Sequence, residues 1–135
     1  MKKLILFLLA TIQLSCGGGN DGPCHNSVVI LNGSSKNIYF QRQTVPQITQ
    51  DPRVAGSYFK IVSGQHKADI FGRDRGCYED LFTENGTLYY LLFDEEVLQN
   101  NSWSDIVEND MVLKRYSFTS QEMQAAEYLI SYVED

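Results

Sequence analysis

Apolar side chains recur along this chain in short blocks separated by turn-forming residues. Residues 27–31 are β-branched and apolar, Asn32-Gly33-Ser34-Ser35 punctuates them, and residues 37–41 resume with Ile38 and Phe40 on one side. This predicts strand, turn, strand. Residues 42–55 carry Pro46 and Pro52 with little periodicity, which predicts a long connecting loop. Residues 57–62 alternate Phe59 and Ile61 against Tyr58 and Lys60, residues 67–71 repeat the pattern more briefly, and Gly64-Gln65-His66 suits a tight hairpin between them.

Beyond residue 76 the period changes. Tyr78, Leu81 and Phe82 stand at i, i+3 and i+4, predicting a short helix within residues 77–85 that Gly86 closes. A type I′ turn at Asn85-Gly86 is the rival reading. Residues 88–93 are six apolar residues in a row, which marks a strand covered on both faces and the centre of the core. Asp94 can cap a short helical turn through Leu98, and Asn101 or Ser102 another that carries Trp103 and Ile106. Residues 111–118 read as a strand. Thr119-Ser120-Gln121-Glu122 then forms a capping box, with Phe118 and Met123 placed as a staple, opening a helix to about Glu127. Residues 128–133 return as the last strand. About seven short strands with two or three helical insertions predict a mainly β, single-domain β-sandwich. An α+β sheet with helices on one face is the alternative.

The N-terminus carries an address. Met1-Lys2-Lys3 precedes a mostly apolar stretch, residues 4–12, and Leu14-Ser15-Cys16-Gly17 follows, the layout of a bacterial export signal. The tetrapeptide resembles the lipobox of lipoproteins, in which the cysteine becomes the diacylated first residue of the mature chain. The apolar stretch falls well short of the ~20 residues a spanning helix needs. A plain secretory signal with Cys16 as an ordinary thiol is the alternative. The expected organisation is a signal peptide over residues 1–15, the lipidated Cys16 with a glycine-rich tether to residue 23, and a globular domain over residues 24–135. The membrane is thus an expected partner, through lipid on Cys16.

Removing residues 1–15 takes Lys2 and Lys3 away, leaving nine basic against 17 acidic side chains and a mature net charge of about −8. Such a surface repels phosphate backbones and argues against nucleic acid. Eight Tyr and seven Phe argue for a folded domain. With Cys16 taken by lipid, Cys24 and Cys77 remain as a pair in an oxidising compartment, which predicts a disulfide. The chain has no Cys-x-x-Cys redox motif.

Four stretches together resemble a group of small lipoproteins of Bacteroidetes: residues 32–40 (Asn-Gly-Ser-Ser-Lys-Asn-Ile-Tyr-Phe), 88–94 (Leu-Tyr-Tyr-Leu-Leu-Phe-Asp), 103–106 (Trp-Ser-Asp-Ile) and 111–118 (Met-Val-Leu-Lys-Arg-Tyr-Ser-Phe). The C-terminal Leu129-Ile130-Ser131-Tyr132-Val133 departs from the Ile-Thr-Tyr-Pro ending of that group. The resemblance implies an outer-membrane location, periplasmic or surface-exposed, and supplies no activity to carry over.

Candidate chemistry is sparse. His25 and His66 lack metal-ligand or catalytic spacing, and no Gly-x-Ser-x-Gly elbow is present. Glu79-Asp80 and Asp94-Glu95-Glu96 lack the spacing of a calcium loop and read as solvated or capping acids. No catalytic residue, metal site or cofactor is expected. The binding signal lies in aromatics: Trp103 with Tyr89 and Tyr90 can form a flat platform for a sugar ring or an apolar partner, against the competing reading of core packing. The sequence therefore predicts a non-enzymatic binding or assembly component of the envelope with a protein or glycan partner. A small hydrolase or a glycan-binding accessory protein is the alternative.

Overall fold

The computed structural model describes residues 24–71, 76–82 and 86–134, so the expected signal peptide over residues 1–15 and the expected tether to residue 23 lie outside the described residues. Strand β1 (Ser27–Asn32) is the centre of a three-stranded sheet, antiparallel to β4 (His66–Ile70) and parallel to β7 (Leu129–Tyr132). Facing it is a four-stranded antiparallel sheet in the order β3 (Lys60–Ile61), β2 (Ile38–Gln43), β5 (Thr87–Asp94), β6 (Lys114–Thr119). Val28 and Ile30 of β1 and Ile130 of β7 meet Ile38, Phe40, Leu88 and Leu92 of the other sheet in the main core. The fold is the β-sandwich with helical insertions that the alternation predicts.

β5 is covered on both faces. Leu88, Tyr90 and Leu92 point into the main core, while Leu91 and Phe93 point the other way into a second core with Leu98 and Ile106. Those two come from α1 (Glu95–Asn100) and α2 (Trp103–Glu108), short helices lying on the outer face of the four-stranded sheet. Their starts follow the predicted caps. Asp94 accepts from Glu96 N–H and Ser102 from Asp105 N–H. Thr119 and Glu122 form the capping box that opens α3 (Ser120–Ala125).

Two expectations are corrected. Residues 52–59 form a 3-10 helix, leaving only Lys60–Ile61 as strand where 57–62 was expected. Asp51 caps this helix and Pro52 stands in its first turn, an initiation signal that outweighs the alternation after it; Gly56, at φ 61°, breaks it midway. Gly64-Gln65-His66 is not a hairpin turn either, because β3 pairs with β2 and β4 pairs with β1. It is a corner that carries the chain from one sheet to the other, held in part by Ser63, whose N–H donates to Asn37 Oδ1 at 3.1 Å and whose hydroxyl donates to the Ser34 carbonyl at 2.7 Å. Further on, Tyr78–Phe82 forms a single 3-10 turn, and Gly86, at φ 67°, donates its N–H to the Phe82 carbonyl and closes it.

Candidate functional site

Ser102 fixes where Trp103 stands, since its hydroxyl accepts from Asp105 N–H at 3.1 Å and starts α2 at the indole. The ring leans on Phe93 of β5, with centroids 6.0 Å apart at 56°. The facing wall is built from polar anchors. Gln43 of β2 donates to the carbonyls of Val45 (2.7 Å) and Gln47 and accepts from the Thr49 hydroxyl at 3.0 Å, which folds residues 44–50 back over the sheet. Asp51 accepts from the Arg53 backbone N–H and side chain, with Nη2 at 2.6 Å, and Arg53 Nη1 reaches the Leu98 carbonyl of α1. The hydrogen bond from Arg53 holds the Asp51 carboxyl below its usual range against the opposing effect of burial.

Between these walls opens a cleft of about 340 Å³, with Trp103 facing Thr49, Gln50, Asp51, Val54 and Phe59. Val54 stands 86 % exposed at its lip. Behind Thr49, the amide oxygen of the buried Gln41 has no hydrogen-bond partner among the described residues.

The structure separates the three aromatics that the sequence grouped. Tyr89 and Tyr90 are successive strand residues and face opposite sides of β5. Tyr90 is completely buried in the main core, so it is no part of a platform. Tyr89 lies on the same side as Trp103 but is half-buried against the Leu91–Phe93 cluster and does not line the cleft. Of the three, Trp103 alone lines the cleft.

His25 occupies a second cluster. Its Nδ1 lies 2.6 Å from Glu79 Oε1, its backbone N–H donates to Glu79 Oε2 at 3.1 Å, and its ring stacks on Tyr128 with centroids 3.8 Å apart. Tyr128 donates its hydroxyl to the same Glu79 Oε1 at 2.6 Å. Burial raises the Glu79 carboxyl, but the hydrogen bonds from Tyr128 and His25 outweigh it and hold the group down at about 2. Burial and that carboxylate push the Tyr128 phenol up to about 12. Beside this cluster Cys24 and Cys77 form a disulfide, with Cα atoms 5.0 Å apart. The imidazole is oriented by a carboxylate, yet among the described residues no serine, threonine or thiol hydrogen-bonds to its ring. His66 is an exposed residue at the start of β4.

Asp94 and Glu95 have partners. Asp94 caps α1 and pairs with Lys36 at 3.0 Å, while Glu95 takes Lys60 Nζ at 2.5 Å and Asn37 Nδ2 at 2.8 Å. Among the described residues, no group of three or more His, Cys, Asp or Glu side chains is placed to hold a metal ion.

Sequence reasoning missed a buried polar quartet. Asp69 of β4 accepts from Arg42 of β2 at 2.9 Å, from the Tyr78 hydroxyl at 2.7 Å and from the Tyr90 hydroxyl at 3.0 Å. One signal was present in the sequence. In residues 66–70 the charged Lys67 and Asp69 share one face and His66, Ala68 and Ile70 the other, so a strand facing a core with Asp69 carries its apolar side outward. Comparison with protein families, curated proteins and solved structures finds no match to this chain.

Proposed function

We propose that this protein is a lipid-anchored cell-envelope component that binds without catalysing, and that its ligand is a glycan seated on Trp103. The observation that carries the reading is the Trp103 cleft, in which one open indole faces a wall of hydroxyl, amide and ion-paired carboxylate groups. A sugar ring offers an apolar face for the indole and hydroxyls for Thr49, Gln50 and Asp51, the mixed lining typical of small-molecule clefts. The Cys24–Cys77 disulfide agrees with the exported location that the Cys16 motif predicts.

Trp103 is the chain's sole tryptophan, so its emission reports directly on the cleft. Titration with a panel of soluble polysaccharides should give a saturable change in emission without release of reducing ends. Release of reducing ends would favour the hydrolase reading instead. If no polysaccharide moves the emission, and detergent-solubilised envelopes yield a protein partner equally well with Trp103→Ala, the glycan assignment is wrong. The anchor is tested separately: mass spectrometry should find acyl chains on Cys16, and Cys16→Ala should move the protein to the soluble fraction.

A further inference from the structure

The two sheets are covered unequally. Among the described residues, the four-stranded sheet has a core on each face, whereas the three-stranded sheet has one only on its inner side. Strand parity identifies the residues on its outer face. Val28, Ile30, Asp69, Ile130 and Tyr132 are buried inward, so Ser27, Val29 and Leu31 of β1, His66, Ala68 and Ile70 of β4, and Leu129 and Ser131 of β7 point out. The register lines them up: Val29 lies between Ala68 and Leu129, Leu31 between His66 and Ser131, and Ser27 beside Ile70. Val133 continues the row beyond β7. Ile70, Leu129 and Val133 are 45, 46 and 63 % exposed. None of these positions is Asp, Glu, Lys or Arg, in a chain where charged residues make up 21 %.

We propose that this face rests on the lipid bilayer beside the anchor and holds the domain against the membrane. The proposal rests on the anchored reading above. Seven residues separate Cys16 from Cys24, and Cys24 is pinned to Cys77 three residues before Ser27 starts the central strand of the face. At ~3.5 Å per residue, the tether keeps that end of the sheet within about 30 Å of the acylated residue.

Size decides between occupants. With strands ~4.8 Å apart and same-face residues ~6.8 Å apart, the nine positions cover about 300 Å². A stable dimer buries about 800 Å² on each partner, so a second copy gains too little here. A surface held close by a tether needs far less, because the contact is intramolecular and its effective concentration is in the millimolar range. Charge points the same way. A domain carrying about −8 is repelled by anionic headgroups through its acidic surfaces, and this is a face from which Asp and Glu are missing.

The test uses the chain from Cys16 onward, which retains every described element. Cys24 and Cys77 are bonded, so Cys16 is the free thiol and can be coupled to a maleimide lipid in phosphatidylcholine vesicles. Hydroxyl-radical footprinting should then show Ile70, Leu129 and Val133 protected at least about threefold relative to the uncoupled chain, with Val54 unchanged as internal reference. The double variant I70E/L129E, altered only at exposed positions, should lose that protection. Equal labelling with and without the vesicle overturns the proposal. So does protection in the uncoupled chain that rises with protein concentration alongside a doubling of mass in light scattering, which would assign the face to a second copy. Because coupling replaces natural acylation, a negative result here leaves the anchored reading standing, and an unmodified Cys16 in cells does not alter the footprint.

Discussion

Arg42 Nη1 lies 2.9 Å from Asp69 Oδ2, and this contact spans the sandwich from a strand of one sheet to a strand of the other. The guanidinium lies over the rings of Phe71 and Tyr78, at 5.2 and 5.1 Å from their centroids. Burial and the Asp69 charge push both the Tyr78 and the Tyr90 phenols up, so each stays protonated and donates to the same carboxylate. Removing the cation would leave a buried carboxylate without its counter-charge. Arg42→Met should therefore cost about 3–5 kcal/mol of unfolding free energy by urea denaturation. Adding Asp69→Asn to that variant should recover part of the loss, and a single-variant loss under about 1 kcal/mol would show that the pair is dispensable.

Asn32 ties together the two corners at which the chain changes sheets. Its side-chain amide donates to the carbonyls of Lys36 at 2.7 Å and Ile61 at 3.2 Å, and its oxygen accepts from Ser34 N–H and Oγ. Its backbone also exchanges hydrogen bonds with Gln65 and Gly64. The residue is fully buried, so Asn32→Ala strands several polar groups at once. A loss of about 3 kcal/mol in chemical denaturation is expected, and Asn32→Asp should recover little because a carboxylate would face the Lys36 and Ile61 carbonyls.

Most strands and the caps of the three α-helices were legible because each rests on local chemistry, whereas the 3-10 helix that Asp51 starts was hidden by the alternation over residues 57–62. The run at residues 88–93 announced a strand covered on both faces, and Asp94, Ser102 and Thr119 each announced a helix start. Sheet membership was not legible: Gly64-Gln65-His66 has the composition of a hairpin turn, and contacts distant in sequence, those of Asn32 with Ile61, Gly64 and Gln65 and of Ser63 with Ser34 and Asn37, turn it into a corner. Tyr90 shows the same limit at the candidate site. Nothing local separates it from Tyr89, and the difference comes from an aspartate 21 residues away that gives its hydroxyl a buried partner. Trp103 was legible as an aromatic after a cap, but not the wall opposite it, which depends on Gln43 reaching back over residues 44–50.

Reduction of the Cys24–Cys77 bond should destabilise the domain, because the two residues are 53 apart and the bond removes a long loop's freedom from the unfolded chain. The chain-entropy model gives up to ~4 kcal/mol. Cys77→Ala should lower the unfolding midpoint, and non-reducing gels should show a faster band than reducing ones. Two alkylatable thiols in addition to Cys16 in the protein purified without reductant would contradict the pairing.

Glu79 makes stability depend on acid. Its carboxyl sits at about 2 in the folded protein against 4.5 ordinarily, so its contribution is complete above pH 4.5 and disappears as pH falls through 2. The difference in unfolding free energy between the wild type and Glu79→Gln should be constant at neutral pH and shrink across that window. A difference that stays constant through the acid range would mean that the carboxylate is not held by His25 and Tyr128.

Trp103 serves the second core and the cleft together, and the two roles separate by substitution. Its ring packs on Phe93 beside Leu98 and Ile106, so Trp103→Ala removes core contacts as well as the binding face. For a half-buried ring this should cost about 2 kcal/mol, roughly half the loss seen for fully buried aromatics. Loss of ligand in that variant alone therefore proves little. Val54, at the lip of the same cleft, is 86 % exposed and contributes almost nothing to packing, so Val54→Asp should leave unfolding free energy within about 0.5 kcal/mol of wild type. A glycan seated on Trp103 must pass that lip. Saturable binding that weakens in Val54→Asp at unchanged stability would place the ligand in the cleft; binding indifferent to Val54→Asp and lost only in step with the destabilisation of Trp103→Ala would make Trp103 a core residue and leave the cleft without a role.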